Sequence, residues 1–171
     1  MKKMSQNIDL GRTAIFSGLP EKKLEKIASL MKTEDFPAGH VVMKEGEDGG
    51  FLYILLDGEV EVSKSLVLRQ TGVIADPRDK SLTRLTSRKM PFFGEMSLFE
   101  KDSSRTATVR TVTPCTFAVI GLAELVELAE SDHEIGYRTF MNISWALSER
   151  LSKTNNDLLK VTTALGLALE R

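Results

Sequence analysis

Cysteine is almost absent: Cys115 is the only one in 171 residues. A lone thiol excludes an intrachain disulfide and a cysteine-based zinc cage. Histidine is nearly as scarce, with only His40 and His133, too few for most metal centres. No stretch reaches the ~18 uninterrupted apolar residues of a spanning helix. The start, Met1-Lys2-Lys3-Met4-Ser5-Gln6-Asn7-Ile8-Asp9, is basic but lacks the apolar segment of a signal peptide. These absences lead to the expectation of a soluble, cytoplasmic protein. An excess of charge of either sign is missing too. The 23 Lys+Arg stand against 24 Asp+Glu, a net −1, so the bulk charge gives no signal for nucleic acid or an anionic membrane. There is no G-x-x-x-x-G-K-[ST] loop, no G-x-S-x-G elbow, no H-E-x-x-H and no dinucleotide glycine fingerprint. The chain is therefore not expected to be an enzyme.

What is present fits one domain, or one domain with an extension. Hydrophobic residues at 42% and charged residues at 27% exclude wholesale disorder. Three zones follow one another. The first runs to about Leu30 and reads as helical: Pro20 suits the first helical position, Glu21 complements the dipole, and Leu24, Ile27, Ala28 and Met31 recur at helical spacing. The second, about Phe36 to Ile120, is punctuated by glycine and proline. Its short β-rich runs are Val41-Val42-Met43, Leu52 to Leu56, Val60-Glu61-Val62, Thr106 to Val109 and Thr116 to Ile120. Many short strands at this spacing indicate a sandwich or jelly roll.

Within it, Leu66 to Lys89 reads as a long polar connection. Arg69, Arg78, Lys80, Arg84, Arg88 and Lys89 face only Asp76 and Asp79 there. The bland reading is a solvated hairpin tip; the sharper one is a surface for an acidic partner. The third zone, about Leu122 to Arg171, lacks proline and reads as helical. Phe140, Ser144, Leu147, Leu151, Thr154, Leu158, Val161, Leu165 and Ala168 step alternately by four and three, a heptad seam. The seam either lies on the domain's own core or pairs with its copy in a homodimer through residues 140–168. Its length favours the dimer. Trp145 lies off the seam, on a side expected to pack on the barrel. Cys115 reads as a small buried apolar residue, and both histidines as surface residues.

One segment carries chemistry: Phe92-Phe93-Gly94-Glu95-Met96-Ser97-Leu98-Phe99, then Glu100 to Ser104, then Arg105-Thr106-Ala107-Thr108-Val109. Gly94 permits close backbone approach. Glu95 opens a short helical turn whose free N–H groups attract an anion. Arg105 supplies the donor fork that suits phosphate oxygens. A carboxylate beside them makes sense as an acceptor from a ribose hydroxyl. Together these groups describe a site for a sugar phosphate. The competing reading is a surface ion pair between Glu95 and Arg105.

Phe93-Gly94-Glu95-Met96-Ser97-Leu98-Phe99 through Arg105-Thr106-Ala107-Thr108-Val109 closely resembles the phosphate-binding cassette of cyclic-nucleotide-binding domains. Such domains occur in the catabolite activator protein, in regulatory subunits of cyclic-nucleotide-dependent kinases and in gated channels. Phe16-Ser17-Gly18-Leu19-Pro20, Phe36-Pro37-Ala38-Gly39-His40-Val41-Val42, and Glu45 to Gly49 followed by Leu52 to Val60 are similar to the same family. The resemblance spans about residues 14 to 160. It implies a mainly β fold, a double-stranded β-helix or jelly roll with flanking helices. The implied units are residues 14–132 for the jelly roll with its leading helix and 133–171 for a dimerisation and signalling helix.

The implied ligand is cyclic AMP or cyclic GMP, with no further cofactor and no metal. By that resemblance Arg105 pairs with the cyclic phosphate and Glu95 accepts from the ribose 2′-hydroxyl. The amides of Gly94, Met96, Ser97 and Ala107 line the same pocket. Thr106 occupies the place where cyclic-GMP-responsive kinases carry a threonine able to reach the guanine amino group. Arg150-Leu151 followed by Thr154-Asn155 is similar to the activator's base-contacting stretch, which works partly across the dimer. Ser104 replaces a common proline before Arg105, and Arg88-Lys89-Met90-Pro91 lacks the glycine often found before the cassette.

About 20 residues follow Arg150, too few for a winged helix-turn-helix, so direct DNA binding is not expected. The first reading is a stand-alone cyclic-nucleotide sensor that signals to a protein partner. The second is a protein-interaction module with the same fold and a vestigial pocket. A third is a regulatory fragment of a larger switch.

Overall fold

The runs Phe51 to Leu56 and Cys115 to Ile120 lack the apolar–polar alternation of a half-buried strand. They are central strands covered on both faces. The structure is a computed structural model that describes residues 2–3, 8–65, 79–99 and 102–169. In chain order its elements are β1 (Lys2–Lys3), α1 (Glu21–Leu30), β2 (Lys32–Phe36), β3 (Val41–Met43), β4 (Phe51–Asp57), β5 (Glu59–Ser65), β6 (Asp79–Thr86), β7 (Phe92–Phe93), β8 (Thr108–Thr111), β9 (Cys115–Gly121), α2 (Leu122–Ser131) and α3 (His133–Leu169). Short 3-10 turns cover Leu10–Arg12, Ala14–Phe16, Ser87–Lys89 and Glu95–Leu98.

The strands form two sheets, ordered β1-β2-β9-β4-β7 and β3-β8-β5-β6, and every pairing is antiparallel. This is the mainly β jelly-roll class with flanking helices. Alternate residues of β4 and β9 feed two cores. Tyr53, Leu55, Phe117 and Val119 point between the sheets, joining Met43, Val60, Phe93 and Val109. Leu52, Ile54, Ala118 and Ile120 point the other way, onto Phe16, Ile27, Leu125, Ile135 and Ile143 of the helical layer. Cys115 belongs to the inter-sheet core and is 3% exposed.

The helical layer is held together by polar contacts. Asn142 donates from Nδ2 to the carbonyls of Ile15 and Ser17, at 3.1 and 2.9 Å. Asp132, between α2 and α3, accepts from Lys23 at 2.5 Å and Lys26 at 3.1 Å. The Lys23 bond above all holds the Asp132 carboxyl down at about 2. Gly136 lets α3 cross close over α2, since a Cβ there would meet the Ala129 carbonyl at 2.8 Å.

Several expectations are corrected. Pro20 precedes α1 with extended backbone, and Glu21 is the first helical residue. The stretch read as a connection from Leu66 to Lys89 contains a strand: β6 pairs with β5 from Glu59↔Thr86 to Ser65↔Asp79. Its last three residues form the 3-10 turn Ser87–Lys89, and 66–78 lie outside the described residues. Thr106 and Ala107 form a bend, and β8 begins only at Thr108, because the preceding loop is tied to residues 46–49. Trp145 is 64% exposed and does not pack on the barrel. The heptad seam divides. Phe140 and Leu147 are partly buried against the domain's own core, whereas Leu151, Leu158, Val161 and Leu165 are 58–64% exposed. From Ser148 to Leu169 every residue of α3 is exposed.

Candidate functional site

Gly94 has φ 92° and starts the turn Glu95–Leu98. An added Cβ at Gly94 would lie 2.6 Å from both Arg105 Nη1 and the Phe51 carbonyl, so no other residue fits without displacing the arginine. The loop holding Arg105 is clamped by a facing loop. Arg105 N–H donates to the Glu47 carbonyl at 2.8 Å, Gly46 N–H to the Arg105 carbonyl at 2.9 Å, and Gly49 N–H to the Ser103 carbonyl at 2.8 Å. Asp48 and Ser104 form an isolated bridge. The glycine-rich run Glu45 to Gly50 thus builds the backbone seat of the arginine.

These elements, β6 and α3 enclose a cavity of about 590 Å³. Glu95 is 1% and Arg105 5% exposed. The two do not pair with each other. Arg105 donates to the Gly94 carbonyl at 3.3 Å and lies 5.8 Å from the Tyr53 ring centroid, a cation–π support. The side chain lines the cavity. Burial pulls its pKa down, yet a guanidinium keeps its charge at any ordinary pH.

Glu95 accepts from Arg150 Nη1 at 2.5 Å through Oε1. Arg150 also donates to the Phe92 carbonyl at 2.8 Å and covers the Phe92 ring at 5.1 Å. The second carboxylate oxygen, Oε2, is buried without a partner among the described residues. Burial pushes the Glu95 carboxyl above its ordinary value, and the Arg150 charge opposes that rise. A buried acceptor left open calls for a donor.

Of the residues singled out from the sequence, Gly94, Glu95, Met96, Ser97, Arg105, Thr106, Ala107, Arg150 and Thr154 all line the cavity. Asn155 does not. It sits about 100° further round the helix than Thr154. In its place Lys153 and Asp157 reach the wall. Positions 150, 153, 154 and 157 share one helical face, a spacing that would have found them. Met43, Val62, Leu85 and Val109 make the far end of the cavity apolar, and Ser81, Leu82 and Thr83 of β6 close its side. The cavity is thus cationic and hydrogen-bonding at one end, apolar at the other. Among the described residues there is no cluster able to hold a metal ion. No helix among them is long and apolar enough to cross a membrane.

Comparison with known proteins agrees with this layout. The family model described as "cyclic nucleotide-binding domain" matches residues 33–132. The chain is 30% identical over 149 residues to the CRP-like cAMP-activated global transcriptional regulator of Mycobacterium tuberculosis, covering 87% of this chain and 60% of that protein. It therefore spans about 60% of that relative's length. The catabolite activator protein of Thermus thermophilus superposes with TM-score 0.71 at 19% identity, covering 88% of this chain and 63% of the other. The regulatory domain of Toxoplasma gondii PKA, crystallised with cAMP, gives TM-score 0.56 at 25% identity, over 71% of this chain and 41% of the other. The chain belongs to the cyclic nucleotide-binding domain family.

Proposed function

We propose that this member of the cyclic nucleotide-binding domain family binds a cyclic nucleoside monophosphate in the 590 Å³ cavity and reports occupancy through α3. The observation that carries the reading is the buried pair of unlike charges that do not neutralise each other. Arg105 lines the cavity and spends one hydrogen bond on the Gly94 carbonyl, and Glu95 keeps Oε2 without a partner. A cyclic phosphodiester brings one negative charge for Arg105, in the forked geometry a guanidinium favours. Its ribose 2′-hydroxyl brings the donor that Oε2 lacks. The amides of Gly94, Met96, Ser97 and Ala107 then lie around the phosphate. The apolar end takes the base, with Thr106 and Thr154 at its edge. Cyclic AMP is the first candidate; Thr106 is the residue through which cyclic GMP would be favoured.

The reporting step follows from Glu95 serving two masters. Its Oε1 already holds α3 through Arg150, so a donor on Oε2 changes the hydrogen bonding and position of the group that anchors the helix. Two placements of α3 with different ligand affinity are enough for a population shift. The output then passes through the exposed part of α3, in a homodimer seam that begins at Leu151 because Phe140 and Leu147 lie on the domain's own core, to a protein partner.

The deciding experiment is calorimetric titration of the purified protein with cyclic AMP and cyclic GMP, beside thermal unfolding. A ligand at 100-fold excess over its Kd adds about 2.7 kcal/mol of stability. Absence of heat and of stabilisation with both nucleotides overturns the reading in favour of a protein-interaction module.

A further inference from the structure

Between Arg110 and Arg138 the chain carries neither lysine nor arginine, yet it holds Glu124, Glu127, Glu130, Asp132 and Glu134. In a chain whose charges balance to −1, this is a local concentration of one sign. All five carboxylates fall on α2, on the start of α3 or between the two. Asp132 is neutralised by Lys23 and Lys26, and Glu134 shares Lys23 at 3.3 Å. Glu124 accepts from the Gly121 N–H at 3.2 Å and caps α2. Glu127 and Glu130 are exposed and have no ion pair among the described residues. The inward faces of α2 and α3 are used on the sheet through Leu125, Ile135 and Ile143. Between their outer faces lies a groove of about 400 Å³. Val126, Ala129 and Phe140 form its floor, and Glu130, His133 and Tyr137 its rim. Tyr137 is 64% exposed there. Phe99 meets Phe140 edge-on at 6.5 Å and is itself 56% exposed, so apolar surface continues beside the groove.

We propose that the groove between α2 and α3 docks a basic amphipathic helix of a partner protein. One large apolar side chain of that helix fills the groove, and Lys or Arg a turn to either side meet Glu127 and Glu130. Two observations fix this occupant. The floor and Tyr137 offer apolar and aromatic surface, and covering them removes that surface and the incoming side chain from water. An exposed tyrosine at the mouth of a groove is the residue type on which such contacts concentrate. The carboxylates then choose the sign of the partner: they steer a basic segment and repel an acidic one. They also oppose a second copy on the same face. A two-fold contact would set each patch of carboxylates against its own equivalent. The groove shares no lining residue with the 590 Å³ cavity, so docking there does not depend on nucleotide binding.

The probe is a fluorescein-labelled synthetic helical peptide with one phenylalanine and lysines one turn to either side, titrated with the full chain. Two companion peptides replace the phenylalanine by alanine, or every lysine by glutamate. The first peptide is expected to bind saturably and to move backbone amide resonances chiefly within residues 126–140. Either companion binds at least about tenfold more weakly. Tyr137→Ala and Glu130→Lys alter exposed residues, so both are expected to keep the wild-type melting temperature. Each weakens the first peptide by about tenfold, the order for losing an aromatic anchor or reversing a facing charge. Glu25→Lys makes the same reversal on the exposed side of α1 and is expected to bind as wild type. Three results overturn the proposal: no saturable binding of the first peptide at high micromolar protein, equal binding of the glutamate peptide, or an equal loss in Glu25→Lys. Self-association of wild type that Tyr137→Ala abolishes also overturns it, and gives the groove to a second copy.

Discussion

Arg150 on α3 reaches the buried carboxylate of Glu95 at 2.5 Å, and its other nitrogen donates to the Phe92 carbonyl at 2.8 Å. The cassette turn and the long helix are thereby joined through one side chain, 55 residues apart in sequence. The pair is asymmetric. Glu95 is 1% exposed at its side chain and Arg150 is 45% exposed. The carboxylate bears the cost of desolvation, and the arginine stays partly in water.

That asymmetry predicts the effect of Arg150→Ala. Removing the guanidinium leaves a buried carboxylate that must stay unpaired or take up a proton. The Glu95 carboxyl then rises further above its ordinary value of 4.5. A protonated Glu95 no longer offers both oxygens as acceptors. Ligand affinity in wild type is expected to fall on acidification through the raised Glu95 pKa, and in Arg150→Ala to begin falling at a higher pH. Titrations from pH 8 down to pH 5 read this directly; superimposable pH profiles for the two proteins would refute it.

Glu95→Gln separates stability from binding. A carboxyl whose pKa is raised by folding is more stable folded when protonated, so its contribution is lost as pH rises through the folded value. The amide keeps the shape without the charge. Ligand-free Glu95→Gln is therefore expected to melt at or above the wild-type temperature at pH 8, with the gap closing below about pH 4.5. Each ~1 kcal/mol gained moves the melting temperature by about 2–4 °C in a domain of this size. Its nucleotide affinity falls, since the amide is a weaker acceptor than a carboxylate. A variant both less stable and unaltered in binding would contradict the assignment of Glu95.

Arg105 is the phosphate test. Arg105→Ala is expected to lose about 2–5 kcal/mol of nucleotide binding, as for truncating one partner of a desolvated charge pair. Arg105→Lys restores the charge but not the fork and recovers only part. Equal calorimetric heats for wild type and Arg105→Ala would remove the phosphate contact.

Gly49 tests the seat beneath the cassette. A Cβ there would lie 2.1 Å from Ser97 Oγ, 2.6 Å from Ser97 Cβ and 2.9 Å from the Ser103 carbonyl. Neither the backbone nor a buried Cβ yields cheaply. Gly49→Ala is expected to cost about 1–3 kcal/mol of stability and to weaken the ligand with it. Ser97→Gly in the same chain relieves two of the three contacts and restores part of both. Urea unfolding of the single and double variants measures the coupling.

The cassette was legible because its chemistry is contiguous: Gly94, Glu95 and Arg105 lie within twelve residues and all reach one cavity. The central strands were legible too, since burial on both faces makes β4 and β9 unbroken apolar runs. What stayed hidden depends on docking. Arg150 was singled out for a base, but its grip on Glu95 is set by where α3 crosses the barrel. Lys153 and Asp157 reach the cavity, and Asn155 misses it, for the same reason. β6 escaped because a bulge between the pairs Val62↔Thr83 and Ser63↔Ser81 puts Leu82 and Leu85 three apart, breaking the period of two by which strands are recognised.

The exposed half of α3 carries the last prediction. Leu151, Leu158, Val161 and Leu165 are 58–64% exposed on one stripe, clear of the domain that covers Phe140 and Leu147. Each leucine fully buried against a copy contributes about 1.5–3 kcal/mol, so the stripe holds enough apolar surface for a stable two-helix pairing. Leu158→Glu with Leu165→Glu replaces two of these side chains and brings like charges together at the seam. Wild type is expected to sediment as a dimer at micromolar concentration and the double variant as a monomer, a weakening of at least about a thousandfold, or ~4 kcal/mol. Both changes lie beyond Asp157, the last residue lining the cavity on α3. The monomeric variant should therefore still bind nucleotide, with any cooperativity between sites lost. A wild-type protein that remains monomeric at high micromolar concentration would remove the dimer and leave α3 free for a different partner.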